Sequence, residues 1–160
     1  MVSSCSDVAP SGDAEDAIQR DLEERLRRIS PEWRVHEVGR MPHGHSGFTY
    51  LVRASEANTA RRLVLRLPPP GARPVGPADV VRQGRIMAAL AGQGFPVPAV
   101  LAASDEPVVD GRPFVLLEHV AGRRVEDVQA DVDSRRLASS AVGTLRRLHA
   151  IGRASCRERV

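Results

Sequence analysis

The stretch His43-Gly44-His45-Ser46-Gly47-Phe48-Thr49-Tyr50-Leu51-Val52-Arg53, answered by Leu63-Val64-Leu65-Arg66-Leu67, decides how this chain is read. The first part is a small-residue turn running into an alternating segment. Phe48, Tyr50 and Val52 fall on one face of a strand, and Thr49, Leu51 and Arg53 on the other. In the second part Leu63, Leu65 and Leu67 point one way, while Arg62, Val64 and Arg66 point the other. A flexible turn between strands lets backbone N–H groups approach a phosphate, and a cation on the neighbouring strand can neutralise it. Many β-hairpins carry a glycine turn beside an arginine, so the weight of this reading comes from the rest of the chain.

Outward from that hairpin the pattern is regular. Residues 1–12 are rich in Ser, Asp, Ala and Pro without periodicity and read as a disordered tail. A helix capped by Asp13 carries Ile18, Leu22, Leu26 and Ile29 at helical spacing, with acidic residues leading and arginines ending it. Pro31 closes it. Strands are predicted over residues 33–41, 47–54 and 62–67, with residues 55–60 as a polar hairpin connection. Pro68-Pro69-Pro70-Gly71 stops the third strand. A helix over about residues 77–91 buries Val80, Met87 and Leu90, helped by Ile86. Short strands follow at residues 99–103 and 113–120, separated by a turn containing Asp110-Gly111. A last helix over roughly residues 133–149 places Leu137, Ala141, Leu145 and Leu148 on one side. Three consecutive strands, a helix and two more strands argue against βαβ units. The expected fold class is α+β: a five-stranded antiparallel sheet with a packed helix, an N-terminal helix and a C-terminal linker helix.

Composition narrows the function. The 160 residues are 42% hydrophobic but only 3% aromatic, which predicts an aliphatic core. All 23 basic residues are arginine, so any role a lysine would fill falls to arginine. Residues 151–160 match, in order, the translation of a widely used sequencing adapter. They are expected to be foreign to a natural protein that continues beyond Ala150. Without their three arginines and one glutamate, 20 basic and 19 acidic residues remain. That near-neutral balance and the scarcity of aromatics argue against nucleic-acid binding. Cys156 lies in the same ten residues, which leaves Cys5 without a disulfide partner. No signal peptide is evident, and no apolar run approaches the roughly 20 residues that span a bilayer. A soluble, cytoplasmic protein with no membrane partner is expected.

The segments HGHSGFTYLVRA, LVLRLPPPG, DVVRQGRIMAAL, GFPVPAVLA and DGRPFVLLEHVAGRRV, taken together over about residues 36–126, resemble the N-terminal lobe of the aminoglycoside phosphotransferase and choline kinase family. The likeness is to the branch related to kinase-like domains fused to acyl-CoA dehydrogenases. The resemblance implies a protein-kinase-like lobe over residues 13–120, with residues 121–150 forming the hinge and the first helices of a second lobe. It implies ATP as cofactor, with Gly44, His45, Ser46 and Gly47 closing over its phosphates. The loop sits between strands and is distinct from a Walker A motif. This branch often has a second glycine where His43 stands and an asparagine at the position of Gly47.

The remaining site residues follow from the same resemblance. Arg66 takes the place of the strand lysine that grips the α and β phosphates, and Gln83 the place of the glutamate that pairs with it. Asp79, a turn earlier, is a candidate for the missing carboxylate. Glu118 and Val120 would offer main-chain groups to adenine, with Val52, Val64 and Leu117 as apolar walls. The catalytic aspartate and the Mg2+ ligands belong to the second lobe of the family, so no catalytic or metal residue is assigned. A metal at His43 and His45 is not expected, because no third ligand has suitable spacing. His149 reads as structural. The function implied is the ATP-binding lobe of a small-molecule phosphotransferase that acts on a hydroxylated substrate in the complete protein. This chain, ending before the catalytic loop, would be inactive alone. The alternative is a pseudokinase-like regulatory or partner-binding module.

Overall fold

The helix that opens the fold owes its position to a four-residue repeat. The computed structural model describes residues 12–41, 48–123, 125 and 132–157, with backbone alone at 77 and 152–157. Helix α1 (Gly12–Arg27) buries Ile18, Leu22 and Leu26, all within 1% of complete burial. Asp13 lies inside its first turn and is not its cap. Ile29, expected on the buried stripe, falls beyond the last turn and is exposed. The amides of Ile29 and Ser30 both return to the Leu26 carbonyl, which turns the chain before Pro31.

Five strands follow: β1 (Trp33–Arg40), β2 (Phe48–Glu56), β3 (Thr59–Leu67), β4 (Val100–Val109) and β5 (Arg112–Glu118). They form one antiparallel sheet in the order β1-β2-β3-β5-β4. The α+β architecture expected from the sequence is the one observed. The connection between β2 and β3 is shorter than residues 55–60, because Ala57 and Asn58 alone reverse the chain. Their φ values of 46° and 65° give the primed turn that matches the twist of the flanking strands. Strand β4 continues six residues past its predicted end, with a register irregularity between Ser104 and Val109. Asp110 and Gly111, at φ 49° and 64°, turn it into β5.

The two faces of the sheet hold different cores. On one face α1 packs against Val35, Val38, Tyr50, Val52, Leu63, Leu65, Leu67, Phe114 and Leu116. On the other, helix α2 (Val80–Gly92) sets Val80 and Val81 against Val115 and Leu117, flanked by Val64, Met87 and Val100. A 3-10 turn at Gly76–Ala78 precedes α2. Gly84 makes this contact close: a Cβ there would lie 2.7 Å from Val115 Cγ2. Ile86, expected to help bury the helix, faces outward, and Val81 with Gly84 does that work.

The chain divides into two compact units, Met1–Val120 and Ala121–Val160. In the second, helix α3 (Ser134–Arg157) runs past its expected end near His149, through residues with adequate helix propensity. Its Leu145 and Leu148 are exposed. No helix among the described residues is long and apolar enough to cross a membrane.

Candidate functional site

Strand pairing assembles a small group of side chains on the α2 face. Thr49 stands opposite Arg66 and Leu51 opposite Val64 across β2 and β3. Val64 stands opposite Leu117 and Arg66 opposite Val115 across β3 and β5. Because side chains alternate along a strand, Leu51, Val64 and Leu117 form an apolar strip. Arg66 lies one side-chain repeat further on, about 7 Å along β3.

Arg66 reaches from the sheet to α2, where its Nη1 donates to Gln83 Oε1 at 2.5 Å. Burial pushes the guanidinium below its ordinary pKa. An arginine starts so far above neutrality that it stays charged. Among the described residues no carboxylate forms an ion pair with it. A half-buried cation held by a neutral amide keeps its charge for an anion, and its planar fork suits phosphate oxygens. The group therefore fits a ligand with a flat apolar part and an anionic part. Asp79 does not supply the carboxylate. Its Oδ1 accepts the Arg82 N–H at 2.9 Å, which makes it the N-cap of α2.

Of the other expected residues, Val64, Gln83 and Leu117 lie with Arg66 on this face. Val52 does not: it is fully buried against α1, on the opposite side of the sheet. Its neighbour Leu51 takes the place beside Val64, and the alternation of β2 was the signal for it. Gly44, His45, Ser46 and Gly47 lie outside the described residues. Glu118 ends β5, with its N–H donating to the Ala99 carbonyl at 2.8 Å. The His119 N–H donates to the Arg62 carbonyl at 3.1 Å, and the chain then leaves the sheet at the exposed Val120. A separate cavity of about 470 Å³ opens beside Leu63, Leu101, Glu118 and His119, and contains none of the Arg66 group.

Comparison with known proteins identifies the family of this chain. The chain belongs to the phosphotransferase enzyme family (APH), whose family model matches residues 37–159. Among curated proteins, it is 38% identical over 86 residues to acyl-CoA dehydrogenase family member 10 of Mus musculus. It is 32% identical over 88 residues to the Arabidopsis thaliana protein named "Probable acyl-CoA dehydrogenase IBR3". Each match takes in 54% of this chain, but only 8% and 11% of the respective relatives. A crystal structure from Ralstonia eutropha, described as a "putative aminoglycoside phosphotransferase", aligns with a TM-score of 0.49 at 26% identity. That alignment covers 65% of this chain and 28% of the other.

Proposed function

We propose that this chain is the ATP-binding lobe of a small-molecule phosphotransferase, one that moves a phosphoryl group to a hydroxyl of its acceptor. The observation that carries the reading is the Arg66–Gln83 contact beside the strip of Leu51, Val64 and Leu117, within a chain of the phosphotransferase family. Arg66 holds negative charge at one end of the strip. Leu51 and Val64, backed by Leu117 where α2 covers it, keep water from one side of a flat base. The Glu118 amide is engaged by Ala99, so a base at that edge would use the Glu118 carbonyl and the Val120 N–H. Bound ATP supplies the transferable phosphoryl group. In the resemblance, Mg2+ and the catalytic base belong to a second lobe, so the residues here bind and position.

The test is a methyl-resolved NMR titration of the 160-residue chain with magnesium ATP. Signals of Leu51, Val64 and Leu117 should shift while those of Val52 stay in place. Shifts confined to the Val52 side, or none at all, would overturn the reading. Gln83 in place of a carboxylate favours a second reading, a pseudokinase-like module that binds a regulatory partner and transfers nothing. Phosphoryl transfer by the protein carrying both lobes, assayed against a panel of hydroxylated acceptors, separates the two.

A further inference from the structure

Arg112 is the one buried charged side chain among the described residues, and it lies on the face of the sheet away from Arg66. Its Nη1 donates to the Pro68 carbonyl at 3.1 Å and its Nη2 to Asp110 Oδ2 at 2.5 Å. Its Nε has no partner. The guanidinium lies 5.2 Å from the centre of the Phe48 ring, against which Arg40 also packs at 4.3 Å. The Asp110 N–H in turn donates to Asp21 Oδ2 of α1 at 2.8 Å, so the arginine is anchored to a helix through the turn it leaves.

Two features set Arg112 apart from a core filler. A buried guanidinium with an unmet donor is a poor way to fill space, since an apolar side chain of similar volume commonly packs as stably. Its bonds also fall where the sheet needs them. The backbone ladder between β3 and β5 ends at Arg66–Val115. Beyond it, Arg112 is what ties β5 to the continuation of β3, at Pro68, two residues past Arg66. Phe48, on which it rests, pairs with Leu67 and immediately precedes Thr49, the partner of Arg66.

We propose that Arg112 is a positioning residue for the phosphate end of the site: from the opposite face it locks the end of β3 to β5 and the start of β2, and so fixes Arg66. The proposal rests on the nucleotide-binding reading above. Arg112 touches no ligand. It acts through the strand, and its fork, not its charge, is the working part.

The test uses Arg112→Met and Arg112→Lys in the full chain, with binding of magnesium ATP and of adenosine measured side by side. Both variants should lose tenfold or more in ATP affinity and bind adenosine as the parent does. An Arg112→Lys variant with parental ATP affinity, or an equal loss for ATP and adenosine, would overturn the proposal. Amide hydrogen exchange supplies a readout without ligand. Protection of Thr49 and Leu67 should fall while that of Leu63 and Val64 is kept, whereas a general packing role would lower all four together. If the parent binds no adenine compound, the nucleotide reading fails, and the exchange pattern alone decides whether Arg112 holds this end of the sheet.

Discussion

At the scale of the residue, charge and orientation decide most. Arg66 makes one hydrogen bond to a neutral amide and no ion pair among the described residues, so its charge is available for an anion. A charge-assisted hydrogen bond contributes about 1.5–3 kcal/mol. Arg66→Ala should therefore weaken magnesium ATP binding roughly tenfold to a hundredfold in a calorimetric titration; parental affinity would remove Arg66 from the site. Leu51 and Val52 provide a matched pair one residue apart. Val52→Ala should cost about 1–3 kcal/mol in urea unfolding, because a fully buried methyl pair leaves a cavity. Leu51→Ala, on the half-exposed face, should lower nucleotide affinity with a smaller effect on stability. Strand alternation already separated these two residues, and the expectation that Val52 lines the site set that alternation aside.

At the scale of the element, the α2–sheet contact and the β2–β3 turn carry separate tests. Gly84→Ala gains about 1 kcal/mol of helix propensity. Against that, its Cβ would stand 2.7 Å from a stiff β-branched side chain, and overpacking of this kind costs about 1–3 kcal/mol. A net loss of stability is expected. In a double-mutant cycle, Val115→Ala should be less harmful when Gly84→Ala is already present; strictly additive effects would show that the two do not touch. The turn at Ala57 and Asn58 holds an alanine at φ 46°, a conformation that costs a non-glycine residue about 1–2 kcal/mol. Ala57→Asn combined with Asn58→Gly installs the pair that primed turns prefer, and should raise stability by about 1 kcal/mol. Residues 55–60 were legible as a hairpin connection, but its two-residue length was not, since neither position is glycine. Asp110-Gly111, with the usual turn residues, was plain.

At the scale of the whole molecule, α1 closes one face of the sheet and α2 part of the other, so the larger core is the load carried by α1. Leu22→Ala should cost about 2–5 kcal/mol. The loss is measurable by urea unfolding through the fluorescence of Trp33, the single tryptophan, which is buried in that same core. A value near zero would mean that α1 is an ornament on a self-sufficient sheet. The order of elements, the antiparallel sheet and the α1 stripe could be read from periodicity and turn residues. Arg112 could not, because an arginine just after an Asp-Gly turn looks like a surface residue, and only the ending of the β3–β5 ladder at Arg66 gives it work. The two-sided sheet has a consequence for mutational scanning. Along β3, odd-numbered positions 63, 65 and 67 should govern how much protein a cell accumulates, and even-numbered positions 64 and 66 how well each molecule holds its ligand. A library scored separately for abundance and for binding would sort this strand by parity.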